Sequence, residues 1–138
     1  MEQIKIDYKS PEPQDYIDLR LAGSLSSKSW EGAKVGLENS LFSVSLWEQD
    51  SLVGFGWIIG DKGTVYQIVD VVVDPAYQGN GLGKKIMNEL VSYLEEHAYC
   101  GAYVSLIADK PANKLYEQFG FTEVIAHGST GMYRRFKN

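Results

Sequence analysis

Gly79, Gly81 and Gly83 alternate in the stretch "YQGNGLGKK" (77–85), and Lys84 and Lys85 follow at once. Glycines at this density weaken a strand, and each costs about 1 kcal/mol against alanine inside a helix, so the stretch predicts a turn. It lies between an apolar strand pattern, "VYQIVDVVV", and a helical pattern starting at Leu82. A turn so placed gathers N–H groups without acceptors at the positive end of a helix dipole, and bare backbone lets a ligand come close. The chemistry this suits is the binding of a polyanion. Cations in a first helical turn are disfavoured by about 0.3–1 kcal/mol each, and a bound anion reverses that sign for Lys84 and Lys85. Glu95 and Glu96 stand at the unfavourable end of the same helix, so the glycines carry more weight than the lysines. A glycine-rich solvent loop is the plain alternative.

Two phosphate-binding patterns fail here. A P-loop needs glycine where Gln78 stands and Ser or Thr where Lys85 stands. A dinucleotide fingerprint needs its third glycine at Lys84. A second chemical candidate is Asp70, a carboxylate set among valines and isoleucine in "QIVDVVV", where burial without a purpose or a partner is costly. A catalytic or substrate-binding role and a structural pairing with backbone or an arginine both stay open for it.

The elements that must position these groups can be read from periodicity. "QIKIDY" alternates as a strand with Ile4 and Ile6 inward, and "PEPQDYIDLRLAG" carries the start and stop signals of a helix. "SKSWEGAKVGLENS" predicts a second short helix. Residues 41–75 predict three strands joined by turns at "EQDS" and "GDKG", the last apolar on both faces and therefore central. Leu82, Ile86, Leu90 and Leu94 form the buried stripe of the next helix. "AYVSLIA" is a strand, "KPANKLYEQFG" a helix, and "FTEVIAHG" and "GMYRRF" are closing strands. This order predicts a single α/β (α+β) domain over residues 1–138, with a mostly antiparallel sheet of about seven strands and about four helices.

Composition narrows the function classes. The 138 residues carry 18 acidic against 13 basic side chains, net −5, which gives a nucleic-acid partner no support. Hydrophobic residues make up 44% and charged residues 22%, an ordinary globular balance. Cys100 stands alone, so no intramolecular disulfide forms, and no metal-ligand spacing is present. The start "MEQIKIDYKS" has no signal pattern and no apolar run is long enough for a bilayer, so a soluble cytoplasmic protein without a membrane partner is expected.

"QGNGLG" (78–83) resembles the Gln/Arg-x-x-Gly-x-Gly/Ala signature of the GNAT N-acetyltransferase superfamily. "VDVVVDPAYQGNGLGKKIM" is similar to that family's strand–turn–helix core, and "ADKPANKLYEQFGF" to its second block, over roughly residues 50 to 125. The resemblance implies acetyl-CoA as co-substrate and direct transfer of its acetyl group to a primary amine of a small molecule or peptide. It places the pyrophosphate on the backbone of Gln78, Gly79, Asn80, Gly81, Leu82, Gly83 and Lys84, and the pantetheine arm along Val71, Val72 and Val73 in a gap between two strands. It makes Tyr116 the general acid for the leaving thiolate, and the N–H of Val71 a donor to the thioester carbonyl.

The base is not fixed by the resemblance. Some members carry glutamate where this chain has Gln67, which makes Gln67 a substrate-side residue; Asp70 is the nearest acid, and a water chain is the other route. Asp109 stands in place of the usual asparagine, and Asn113 is the nearby residue able to reach the cofactor. Trp30 lies in the segment that walls the acceptor site, whereas Trp47 and Trp57 read as core. His97 and His127 read as surface or packing residues. A homodimer is compatible with this reading. The competing function class is a fold of the same type that binds acyl-CoA without transferring, as a sensor or interaction module.

Overall fold

The computed structural model describes residues 3–109 and 112–136. The chain packs as two compact units, Met1–Leu106 and Ile107–Asn138. The first holds β1 (Lys5–Asp7), α1 (Pro13–Ala22), α2 (Trp30–Glu38), β2 (Phe42–Glu48), β3 (Ser51–Gly60), β4 (Val65–Val73), α3 (Leu82–His97) and β5 (Tyr103–Leu106). The second holds α4 (Asn113–Glu117) and a 3-10 turn, Val124–His127. The described sheet runs β1-β2-β3-β4-β5, antiparallel except for the parallel β4–β5 pair. β4 has partners on both sides, as its two-faced apolar pattern requires.

Period-2 alternation divides the sheet residues between two layers. Phe55, Trp57 and Val72 join Tyr16, Ile17 and Leu19 of α1 and Ala33 and Leu37 of α2 in one buried cluster. Tyr16 meets the rings of Phe55 and Trp57 edge-on, with centroids 5.7 and 5.8 Å away. On the other face lies α3, whose Leu82, Ile86, Leu90 and Leu94 are all buried at the expected four-residue spacing. α3 comes so close to β3 that a Cβ added at Gly56 would sit 2.6 Å from Ile86 Cγ2. This close seat fixes where α3 begins, and hence where its N-terminus points.

The β3–β4 connection is set by one side chain. Asp61 accepts from the N–H groups of Gly63, Thr64 and Val65 and from the Thr64 hydroxyl. The Thr64 hydroxyl first, then these amides, hold its carboxyl well below the usual carboxylate range. A depressed folded pKa contributes stability that is present above the unfolded value, about 3.9, and lost as pH falls below it. Asp61→Ala is therefore expected to melt below the wild type at pH 7, with the gap narrowing as the pH is lowered toward 2. Thermal melts at the two pH values check it.

The seven-strand expectation is corrected to five. The segments expected as closing strands, 121–128 and 131–136, form none. Ala126, Gly128 and Ser129 donate to the carbonyls of Glu123, Ile125 and Val124, so local turns take the backbone groups a ladder would need. Met132, Tyr133 and Phe136 are 84–92% exposed. Strand propensity expresses itself only against a neighbouring surface, and the rings of Tyr133 and Phe136 meet instead the guanidinium groups of Arg135 and Arg134. The expected helix over 110–120 is shorter, Asn113–Glu117, with Lys110 and Pro111 outside the described residues.

Candidate active site

β4 carries one residue too many for its partner. Trp57 pairs with Val69 and Phe55 with Val72, which leaves Asp70 and Val71 both opposite Gly56. This is a β-bulge, and its first residue, Asp70, has φ +55°. The left-handed region costs a non-glycine residue about 1–2 kcal/mol, least for Asp and Asn, so the bulge has to be held from outside. Three side chains hold it. Tyr16 Oη donates to Asp70 Oδ2 at 2.5 Å, Trp57 Nε1 donates to the same oxygen at 3.0 Å, and Arg20 forms an ion pair with Oδ1. Burial first, then the Asp70 carboxylate, push the Tyr16 hydroxyl far above its ordinary pKa, so it stays a donor. Asp70, expected to serve the amine as base or anchor, thus has both oxygens engaged within the protein.

β4 and β5 part company at the same place. Their parallel pairing runs from Val65–Tyr103 to Ile68–Leu106 and stops there. Val69–Val73 then has no strand partner on the β5 side among the described residues. Val72 is buried in the α1–α2 layer, and Val71 lies near the Gly56 position on the α3 side. The backbone of Val71–Val73, expected to lie along the pantetheine arm, is in this unpaired part of β4. Gln67 sits in the paired part of β4, opposite Ile59 and Ser105, and is half-buried.

The glycine turn follows directly. Asp74 accepts from Ala76 N–H and opens a 3-10 turn, Pro75–Tyr77, tied to the end of β2 by the Tyr77 hydroxyl donating to Glu48. Gly79 and Gly81 have φ +83° and +75°, and a Cβ at either would meet open space. Their requirement is therefore conformational, not a matter of packing. The side chains brace the turn from inside: Gln78 donates to the Val73 carbonyl and Asn80 to the carbonyls of Tyr77 and Gln78. Gln78 N–H, expected to face the ligand, donates instead to Pro75 at 3.4 Å. The N–H groups of Gly79 through Lys84 have no backbone acceptor among the described residues, and Gly81 at the N-cap offers no capping side chain. Six donors without acceptors, at the head of the 16-residue α3, make a strong anion cradle.

In the second unit Tyr116 is 8% exposed, and its hydroxyl donates to no acceptor among the described residues. Burial first and the Asp109 carboxylate second raise its pKa. Asn113 donates to Glu123 at 3.1 Å, so the amide expected to reach the cofactor is engaged within its own unit. Trp30, the first residue of α2, is 47% exposed and keeps its indole available. Among the described residues no group of three His, Cys, Asp or Glu could hold a metal, and no helix is long and apolar enough to cross a membrane.

The sequence reading missed Tyr16 and Arg20. Their signal was present: an arginine four residues after an aromatic, on the apolar face of α1, is a buried cation in need of a carboxylate. Asp70 is the half-buried carboxylate of an otherwise apolar stretch of β4.

β4, bulged at Asp70–Val71, parts from its parallel neighbour and leads through the glycine turn into an uncapped helix. The sequence profile of the Acetyltransferase (GNAT) family matches residues 3–121, and the chain belongs to that family. A Staphylococcus aureus protein described as a probable acetyltransferase of unknown function is 44% identical, with a TM-score of 0.92 over 97% of this chain and 100% of its own. The ycf52-like N-acetyltransferase of Prochlorococcus marinus is 36% identical over 64% of this chain and 51% of its own length. The mycothiol acetyltransferase of Corynebacterium glutamicum is 30% identical over 59% of this chain and 28% of its own. The chain spans between 28% and 58% of the length of the curated relatives it matches.

Proposed function

We propose that this protein transfers the acetyl group of acetyl-CoA directly to a primary amine of a small molecule or peptide. The observation that carries this reading is the glycine turn, where six backbone donors without acceptors follow the bulged end of β4. The pyrophosphate binds those donors, and the pantetheine arm lies along the open backbone edge of Val71–Val73. The Val71 N–H faces the thioester carbonyl. Trp30 and Gln67 stand on the acceptor side. The amine lone pair attacks the carbonyl carbon, the C–N bond forms and the C–S bond breaks. The departing thiolate takes the Tyr116 proton, the ammonium proton passes to water, and the phenolate regains its proton from solvent.

The second reading, an acyl-CoA-binding module without transfer, is favoured by the engagement of both Asp70 oxygens, which leaves no carboxylate of β4 free as base. One assay separates the two. Acetyl-CoA is incubated with a panel of polyamines, aminoglycosides, amino acids and peptides, and free thiol and acetylated amine are both measured. Thiol released in proportion to a product heavier by one acetyl group is the expected result. Binding of acetyl-CoA with no product across the panel would leave the silent module.

A further inference from the structure

Arg20 is 5% exposed and lies between three elements. Its Nη1 pairs with Asp70 in the bulge, its Nε donates to the Ser26 carbonyl at 2.9 Å, and its Nη2 donates to the Ser26 hydroxyl at 3.2 Å. The guanidinium also stands 5.8 Å from the centre of the Tyr16 ring. Ser26 is an exposed residue of the α1–α2 connection, the segment that ends at Trp30. One planar side chain thus joins the α1–α2 loop to the residue that gives the bulge its left-handed turn. A lysine in its place has a single ammonium and cannot grip both partners in this fixed fork.

We infer that Arg20, with Tyr16 and Trp57, is a positioning residue for acyl transfer: it clamps Asp70 in the bulge and so aims the Val71 N–H at the thioester carbonyl. Asp70 is then the keystone of this clamp and does not take the amine's proton. The inference rests on the acetyl-transfer reading, and it adds residues and a role that the family match does not assign. A hydrogen bond that polarises the carbonyl must be held within a fraction of an ångström, since a small misplacement costs about 10²-fold in rate.

The test uses acetyl-CoA carrying a ¹³C label in the acetyl carbonyl, bound to the full chain without acceptor. The infrared carbonyl stretch of the bound thioester is compared with that of free acetyl-CoA, for wild type, Arg20→Lys, Asp70→Asn and Tyr16→Phe. Wild type is expected to lower the stretch, and Arg20→Lys and Asp70→Asn to return it toward the free value. Their kcat should fall about 10²-fold with the acetyl-CoA KM changed less than about threefold. Loss of one packing contact alone would lower the melting temperature and leave the stretch in place. Tyr16→Phe keeps the ion pair and the ring, so it remains folded and reports an intermediate shift even where the charge variants do not fold. A wild-type shift retained in all three variants overturns the clamp and leaves the transfer reading standing. No shift in the wild type removes the transfer geometry, and the clamp's role with it.

Discussion

Tyr116→Phe is expected to slow acetyl transfer about 10²–10⁴-fold at neutral pH, with acetyl-CoA affinity and melting temperature near the wild-type values. The hydroxyl donates to no acceptor among the described residues, so phenylalanine keeps the buried ring and forfeits no hydrogen bond to them. On the proposed mechanism it forfeits the proton for the leaving thiolate, whose basicity is close to that of a phenol. Burial and Asp109 raise the hydroxyl's pKa, so the protonated form needed by a general acid persists to higher pH than for a free tyrosine. The alkaline fall of the wild-type rate should therefore lie above pH 10 and be missing from the variant. Steady-state rates across pH 6–11 check both points. Near-normal turnover in the variant would remove Tyr116 from the chemistry and make water the acid.

Gly81→Val is expected to abolish stabilisation by acetyl-CoA. A β-branched residue at φ +75° costs about 1–2 kcal/mol, which lowers the melting temperature of the free protein by several degrees. That loss is strain alone, because the added Cβ meets no neighbour. On the proposed reading, the open space it enters is where the pyrophosphate approaches the N–H groups. Acetyl-CoA at about 100 times its Kd stabilises the wild type by about 2.7 kcal/mol, and the variant should gain almost none of this. Gly101→Val is the control. Gly101 has φ +85° and equally open space but lies in the α3–β5 connection, so it should show the same strain and keep the full gain. A Gly81→Val protein with an undiminished acetyl-CoA shift would place the cofactor elsewhere.

The features most legible in the sequence were those written in local code. The leucine–isoleucine stripe of α3 and the alternating glycines each state a conformation by themselves, and the family pattern spans both. The bulge was not legible. One extra residue in β4 leaves no mark in an all-apolar strand, and the left-handed turn falls on an aspartate, where glycine would have signalled it. Asp70 was visible as an anomaly, but its partners sit 13, 50 and 54 residues earlier in the chain, and only the fold brings them together. The closing segments 121–128 and 131–136 show the opposite failure. Their composition suits strands, but a strand also needs a partner, and composition says nothing of that.

The central claim is that acetyl-CoA lies along the backbone of β4 and ends on the glycine turn, and backbone amide chemical shifts report on that directly. Acetyl-CoA added to the ¹⁵N-labelled protein should move the amide signals of Gly79, Asn80, Gly81, Leu82, Gly83 and Lys84 furthest. Val71 and Val73 should move with them, and the Asp61 turn between β3 and β4 should stay still. Large shifts confined to other segments, with 79–84 and 71–73 unmoved at saturation, would contradict the account.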